Sequence, residues 1–156
     1  MDKKYEFTGE TLNWYGRILH RIRALKDFGG VKAGDIGGWI EKEENLSHEG
    51  TCWVYDEAKV YNEAVVCGEA EVCGEAKVCG KAVVREQSDY ITISPIESRN
   101  GTTTAFRTAK GARIKCGCFY GSISEFEAKV KETHGDNQYA KEYLALAELL
   151  KIRFGE

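Results

Sequence analysis

From Val54 onward, apolar and polar positions recur every six residues. The hexads read VYDEAK, VYNEAV, VCGEAE, VCGEAK, VCGKAV and a degenerate VREQSD. Valine stands at positions 54, 60, 66, 72, 78 and 84, and alanine at 58, 64, 70, 76 and 82. A helix needs apolar spacing near 3.6 and a half-buried strand a spacing of about 2. A period of six fits neither alone; it fits a short strand followed by a corner, repeated. Valine then points inward on each flat stretch, and alanine fills the tight inside of each corner. Tyr, Cys or Arg after each valine points outward. Asp, Asn or Gly in the next position is a turn residue that tolerates left-handed backbone.

The pattern resembles that of the hexapeptide-repeat proteins, in which three hexads make one triangular coil of a left-handed β-helix. The resemblance implies a mainly β chain built on a short left-handed parallel β-helix of about three coils, assembled as a homotrimer. Extending the phase backward places Ile36 on the valine phase and Ile40, Leu46 and Cys52 on the alanine phase; Lys42 and His48 break it. Residues 36–53 therefore read as an imperfect first coil and 54–89 as two regular ones. Stacking between coils puts Tyr61 near Cys79 and Cys67 near Arg85. Cys67, Cys73 and Cys79 fall on three different faces, so they cannot form one metal site within a chain. Few coils leave open edges above and below, and open edges need covering.

The flanks read as those covers. Residues 1–35 form an N-terminal β cap, with strands over Lys4–Thr8 and Arg17–Leu25 joined through Gly9 to Gly16, and Trp14, Trp39 and Trp53 as packing anchors. Residues 90–156 form an α+β C-terminal cap. Tyr90–Ser94 is a strand, Pro95 to Gly101 a loop, and Thr102–Thr108 and Arg113–Tyr120 strands around the turn at Ala109-Lys110-Gly111. Ser124-Glu125-Phe126-Glu127 predicts a capped helix start, with that helix running to about Thr133. A second helix covers about Asn137 to Arg153, with Tyr139, Ala140, Tyr143, Leu144, Ala147 and Leu150 on its apolar face.

Composition changes this picture little. The 156 residues carry a net charge of −3, with one proline and 17 glycines. That balance suits a repetitive β structure, where proline cannot donate to the ladder. The near-neutral total points away from nucleic acid and membrane partners. The N-terminus lacks the apolar stretch of a signal peptide, so a bacterial host cytosol is the expected compartment. Disulfide frameworks belong mainly to oxidising compartments, so the six cysteines are expected as free thiols.

Charge is nonetheless segregated: +2 over residues 1–35, −7 over 36–89, +4 over 90–120 and −2 over 121–156. The basic segment is also rich in small hydroxyls. Arginine forks, backbone N–H groups beside glycine and short hydroxyls are what an anionic ligand needs. Ser98, Arg99, Asn100, Thr102, Thr103, Thr104, Arg107 and Lys115 are therefore the candidate ligand-binding residues. The plainer alternative is an Asn-Gly turn joining two half-exposed strands whose threonines favour β structure. His20, His48 and His134 have no metal-like spacing, and Cys116 with Cys118 supplies only two soft ligands. No phosphate-loop, dinucleotide or nucleophile-elbow motif is present. No catalytic residue, metal or cofactor is expected.

Beyond the repeat, the chain resembles a group of phage and prophage proteins. The likeness rests on Lys4-Tyr5-Glu6-Phe7-Thr8-Gly9-Glu10-Thr11, Gly37-Gly38-Trp39-Ile40-Glu41, Ser98-Arg99-Asn100-Gly101 and Cys116-Gly117-Cys118-Phe119. It implies a phage or prophage source and supplies no activity. The better-known hexapeptide proteins are acyltransferases, which use a histidine base near a subunit interface and bind an acyl-CoA or similar donor. This chain departs from them in having few coils and no histidine in a loop projecting from a regular coil.

The expected function is therefore non-enzymatic: sequestration of a small anionic ligand, with a host-defence nucleotide signal as the candidate. A structural or protein-interaction module and a hexapeptide-type acyltransferase are the alternatives. Arg99→Ala and Arg107→Ala are expected to abolish ligand binding in calorimetry without dispersing the trimer, each lost contact costing about 1.5–3 kcal/mol.

Overall fold

A computed structural model of the chain describes residues 2–96 and 101–156. β1 (Tyr5–Trp14) and β2 (Arg17–Ala24) form an antiparallel hairpin, followed by β3 (Ile36–Ile40). One two-residue strand then opens at each hexad: β4 (Trp53–Val54), β5 (Lys59–Val60), β6 (Val65–Val66), β7 (Glu71–Val72), β8 (Lys77–Val78) and β9 (Val83–Val84). β10 (Tyr90–Ile96), β11 (Gly101–Thr108), β12 (Gly111–Cys116) and β13 (Phe119–Gly121) make an antiparallel sheet. α1 (Ile123–His134) and α2 (Gln138–Phe154) end the chain. Among the described residues, no helix is long and apolar enough to cross a membrane.

The repeat folds as three parallel pairings, β4 with β7, β5 with β8 and β6 with β9. Each joins a valine to the valine 18 residues on: Val54 to Val72, Val60 to Val78 and Val66 to Val84. All six valines, and the alanines at 58, 64, 70, 76 and 82, are fully buried. The third hexad position turns the corner with φ between 55° and 67° at Asp56, Asn62, Gly68, Gly74 and Gly80. Asp56 and Asn62 also hold the next coil. The Asp56 carboxylate accepts from the Gly74 N–H at 3.0 Å, and the Asn62 side-chain oxygen accepts from Gly80 N–H at 3.1 Å.

The first coil departs from the backward-extended phase. Ile40 pairs with Val60, and Leu46 bridges to Val66, intervals of 20 residues. Ile40 and Leu46 therefore occupy the inward valine positions, not the alanine ones, and both are fully buried. Ile36 does not; it pairs with Arg23 of β2 and is 51% exposed. The two additional residues lie in the corner between Leu46 and Cys52. Cys52 is buried, and the register returns to 18 at Trp53.

That widened corner is plugged by Lys4, whose ammonium is buried. It donates to the Cys52 carbonyl at 2.7 Å. It also lies 3.3 Å from Cys52 Sγ and 3.4 Å from the carbonyls of Glu49 and Gly50. Burial pushes the Lys4 amine below its ordinary pKa.

A buried side chain closes each end of the repeat. Asn45 accepts from Glu41 and Lys42 N–H at 3.1 and 2.8 Å and donates to the carbonyls of Asn62 and Ala64 at 3.1 and 2.8 Å. At the other end, Asp89 Oδ2 accepts from Arg85 and Glu86 N–H at 2.8 and 3.2 Å.

The N-terminal cap extends the hydrogen-bond ladder of the coils. β3 pairs on one edge with β5 and on the other with β2, so the hairpin continues one face of the repeat. The C-terminal sheet lies between the last coil and the helices. Phe106 joins the core of the coils, whereas Ala105 and Ile114 join the helix core with Phe126, Val130 and Leu150.

Several element boundaries differ from expectation. β1 runs on through Gly9 to Trp14, and the hairpin turns at Tyr15-Gly16. Residues 113–120 are not one strand: a turn at Gly117 (φ 57°) folds β13 back on β12, placing Cys116 opposite Phe119. Cys116 and Cys118 thus do not share a strand face. The capping box of α1 is Ser122 with Glu125, each side chain bonded to the other's backbone N–H, so the helix starts earlier than predicted. Tyr139 is 41% exposed; Ala140, Tyr143, Leu146, Ala147 and Leu150 carry the buried face of α2.

Asn45→Leu removes four hydrogen bonds and strands buried backbone groups. It is expected to lower the unfolding free energy by about 3 kcal/mol or more, measured by denaturant titration.

Candidate functional site

Of the eight candidate residues, Ser98, Arg99 and Asn100 lie outside the described residues. The other five do not converge on one point. Thr104 is fully buried, and its hydroxyl accepts from Lys77 N–H at 3.0 Å and bonds Thr92 at 3.1 Å. Thr103 is also buried and bonds Cys116 Sγ at 3.3 Å. Arg107 donates to Asp89 Oδ1 at 3.0 Å and packs 5.1 Å from the centre of the Phe154 ring. It ties α2 to the end of the repeat, so its removal is expected to loosen that contact. Thr102 bonds Ser94 at 3.0 Å. Thr102 and Lys115 alone reach a shared cleft.

That cleft forms where three parts of the chain meet. The tip of the β1–β2 hairpin brings Trp14 and Tyr15, the coil brings Lys77, and the C-terminal sheet brings Gly101, Thr102, Lys115 and Gly117. Its volume is about 180 Å³. An adjoining cleft of about 190 Å³ shares Lys115 and adds Tyr61, Asn62, Cys79, Gly80 and Tyr120. Among the described residues, neither cleft is lined by a carboxylate. Lys59 and Lys77 occupy equivalent positions in successive coils, and their ammonium groups lie 4.7 and 5.7 Å from the Trp14 ring centre. Such placement favours cations over the ring face. Lys115 is steered by its bond to the Gly117 carbonyl at 2.7 Å. Tyr15 is 86% exposed and sits in left-handed backbone (φ 50°), a conformation rare for a bulky residue.

Sequence reasoning missed Trp14, Tyr15 and Lys77 as cleft residues. A signal existed for the lysine: Lys59 and Lys77 end hexads one coil apart, so they had to stack on one outer face. Nothing in the local sequence shows that the hairpin tip folds over that face.

The histidines are packed against aromatic rings. His20 stacks on Phe7 with ring centres 4.4 Å apart, and His48 stacks on Tyr5 at 4.1 Å. His48 Nδ1 accepts from the Lys4 N–H, and its Nε2 lies 3.5 Å from Glu43. His134, at the end of α1, lies 5.5 Å from the Tyr143 ring. Among the described residues, no group of three or more His, Cys, Asp or Glu is placed to hold a metal ion. None of the six cysteines is in a disulfide. Burial pushes the Cys52 and Cys79 thiols up, against the opposing effect of Lys4 at Cys52 and of the Tyr61 hydrogen bond and nearby Lys115 and Arg17 charges at Cys79.

No protein-family model matches the chain. One stretch of 40 residues is 50% identical to YdcK of Escherichia coli strain K12, which is named an uncharacterized acetyltransferase. The stretch is 26% of this chain and 12% of that protein, so the chain spans only a small part of the relative's length.

Because only the thiolate reacts with an alkylating agent, burial and a raised pKa protect twice over. At pH 8, iodoacetamide is expected to modify exposed Cys73 and Cys118 at least ~10-fold faster than Cys52 and Cys79, as resolved by peptide mass spectrometry.

Proposed function

We propose that the 18-residue coils wind as a left-handed parallel β-helix, that the chain works as a homotrimer, and that it binds a small anionic molecule without transforming it. The observation that carries the binding reading is the cleft between hairpin tip, coil and C-terminal sheet. Two lysines, a threonine hydroxyl and two aromatic residues line it, and among the described residues no carboxylate does. Cations at a low-dielectric surface attract phosphate or carboxylate, and an exposed tyrosine beside them offers a flat apolar face. Together these suit a phosphate group attached to a planar ring, the chemistry of a nucleotide. The resemblance to phage and prophage proteins makes a host-defence nucleotide signal our candidate ligand.

A second reading, a hexapeptide-type acetyltransferase, is favoured by the stretch shared with YdcK. That stretch is a quarter of this chain, and it supports a shared repeat more directly than a shared reaction. Of the two stacked histidines, His48 has its Nδ1 occupied by the Lys4 N–H, and each has one ring face against an aromatic ring.

Calorimetry with ATP, ADP-ribose and cyclic dinucleotides, and separately with acetyl-CoA, distinguishes the readings. At least one nucleotide is expected to bind and to be recovered unchanged. Lys77→Ala and Lys115→Ala are each expected to weaken it roughly 10- to 100-fold, the equivalent of one charge-assisted contact. Absence of binding by every nucleotide overturns the first reading, and acetyl transfer that depends on a histidine establishes the second. Light scattering tests the trimer, with three times the subunit mass expected.

A further inference from the structure

A further concave surface lies elsewhere, on the helix side of the C-terminal sheet. It is a groove of about 440 Å³ between the Cys116–Gly117–Cys118 turn and α1, a size within the range of small-molecule sites. Its floor is apolar. Phe119 and Phe126 lie with ring centres 5.5 Å apart, Phe126 meets Tyr143 edge-on at 5.8 Å, and Val130 fills the space beside them. Lys129 and His134 line its rim, and among the described residues no carboxylate does. The acid facing Lys129 is Glu132, 3.9 Å away with its side chain 75% exposed, a pairing too long and too solvated to hold the ammonium firmly.

We propose that this groove is a second binding site, for a small aromatic carboxylate. The ring lies on Phe119, Phe126 and Val130, where burial of apolar surface drives binding. The carboxylate meets Lys129 and the His134 imidazole at the rim. A neutral ligand of the same shape leaves Lys129 with Glu132 alone. A cationic one is repelled. The exposed Cys118 thiol stands at the mouth of the groove and reports occupancy without taking part in binding. The Lys115 cleft is not required, although Gly117 borders both cavities.

The probe is naphthalene-2-carboxylate, and the readout is alkylation of Cys118 by iodoacetamide, followed by peptide mass spectrometry. Saturating probe is expected to slow Cys118 at least ~5-fold while leaving Cys73, on the coil, unchanged. Lys129→Glu is expected to weaken the probe by roughly tenfold or more, and naphthalene-2-carboxamide to protect correspondingly less. Lys77→Ala, which disables the other cleft, is expected to leave protection intact. Circular dichroism checks that Lys129→Glu keeps α1. Unchanged Cys118 alkylation in the presence of probe overturns the proposal, as does equal protection by the amide or in a folded Lys129→Glu variant.

Discussion

The structure depends on backbone hydrogen bonds that run from one coil to the next. The N–H groups of Trp53, Tyr55, Lys59, Tyr61, Val65 and Cys67 donate to carbonyls of the following coil at 2.7–3.0 Å. These bonds stack successive coils and force residues 18 apart into register. Once the register is imposed, side-chain choice follows. The inside of each flat face accepts a valine, and the inside of each corner has room only for a small residue. The corner needs left-handed backbone, which Asp, Asn and Gly tolerate with least strain. A β-ladder of this kind must be closed at both ends, because unpaired backbone groups are costly when buried.

The two ends solve that problem differently. At the start, β3 carries the ladder into an antiparallel hairpin, and a corner longer than the repeat allows is filled by a buried lysine. Lys4 keeps its place because four acceptors surround its ammonium and the Phe28 ring lies 4.7 Å away. At the other end, β11 lies against the last coil through Thr104 and the Ala82–Thr108 bridge. Its opposite face packs on α1 and α2. The hydroxyls of Thr103 and Thr104 thereby serve the fold, since a buried hydroxyl needs a partner and each finds one inside the protein.

The cleft at Lys115 is a consequence of this closure. The hairpin tip and the C-terminal sheet reach the same face of the repeat from opposite ends and leave a gap between them. Lysines that belong to the coil's outer face then gather beside lysine and threonine from the sheet. The groove under the Cys116–Cys118 turn arises separately, between that turn, α1 and Tyr143 of α2. Both cavities are bordered by Gly117, whose left-handed backbone turns the chain sharply enough to separate β12 from β13.

The repeat itself was legible in the sequence, because strict spacing of valine, alanine and turn residues is a direct image of the backbone register. The charge map was legible too, and it led to Lys115 and Thr102. The sequence alone could not place Ile40 and Leu46 correctly, since two inserted residues shift the phase silently and only pairing with Val60 and Val66 reveals it. Nor could it separate threonines that serve the core from those that reach solvent. Local composition determined which segment is basic and hydroxyl-rich. Tertiary packing decided which of those groups remain at a cavity, because hydrogen-bond partners for Thr103, Thr104 and Arg107 come from residues distant in the chain.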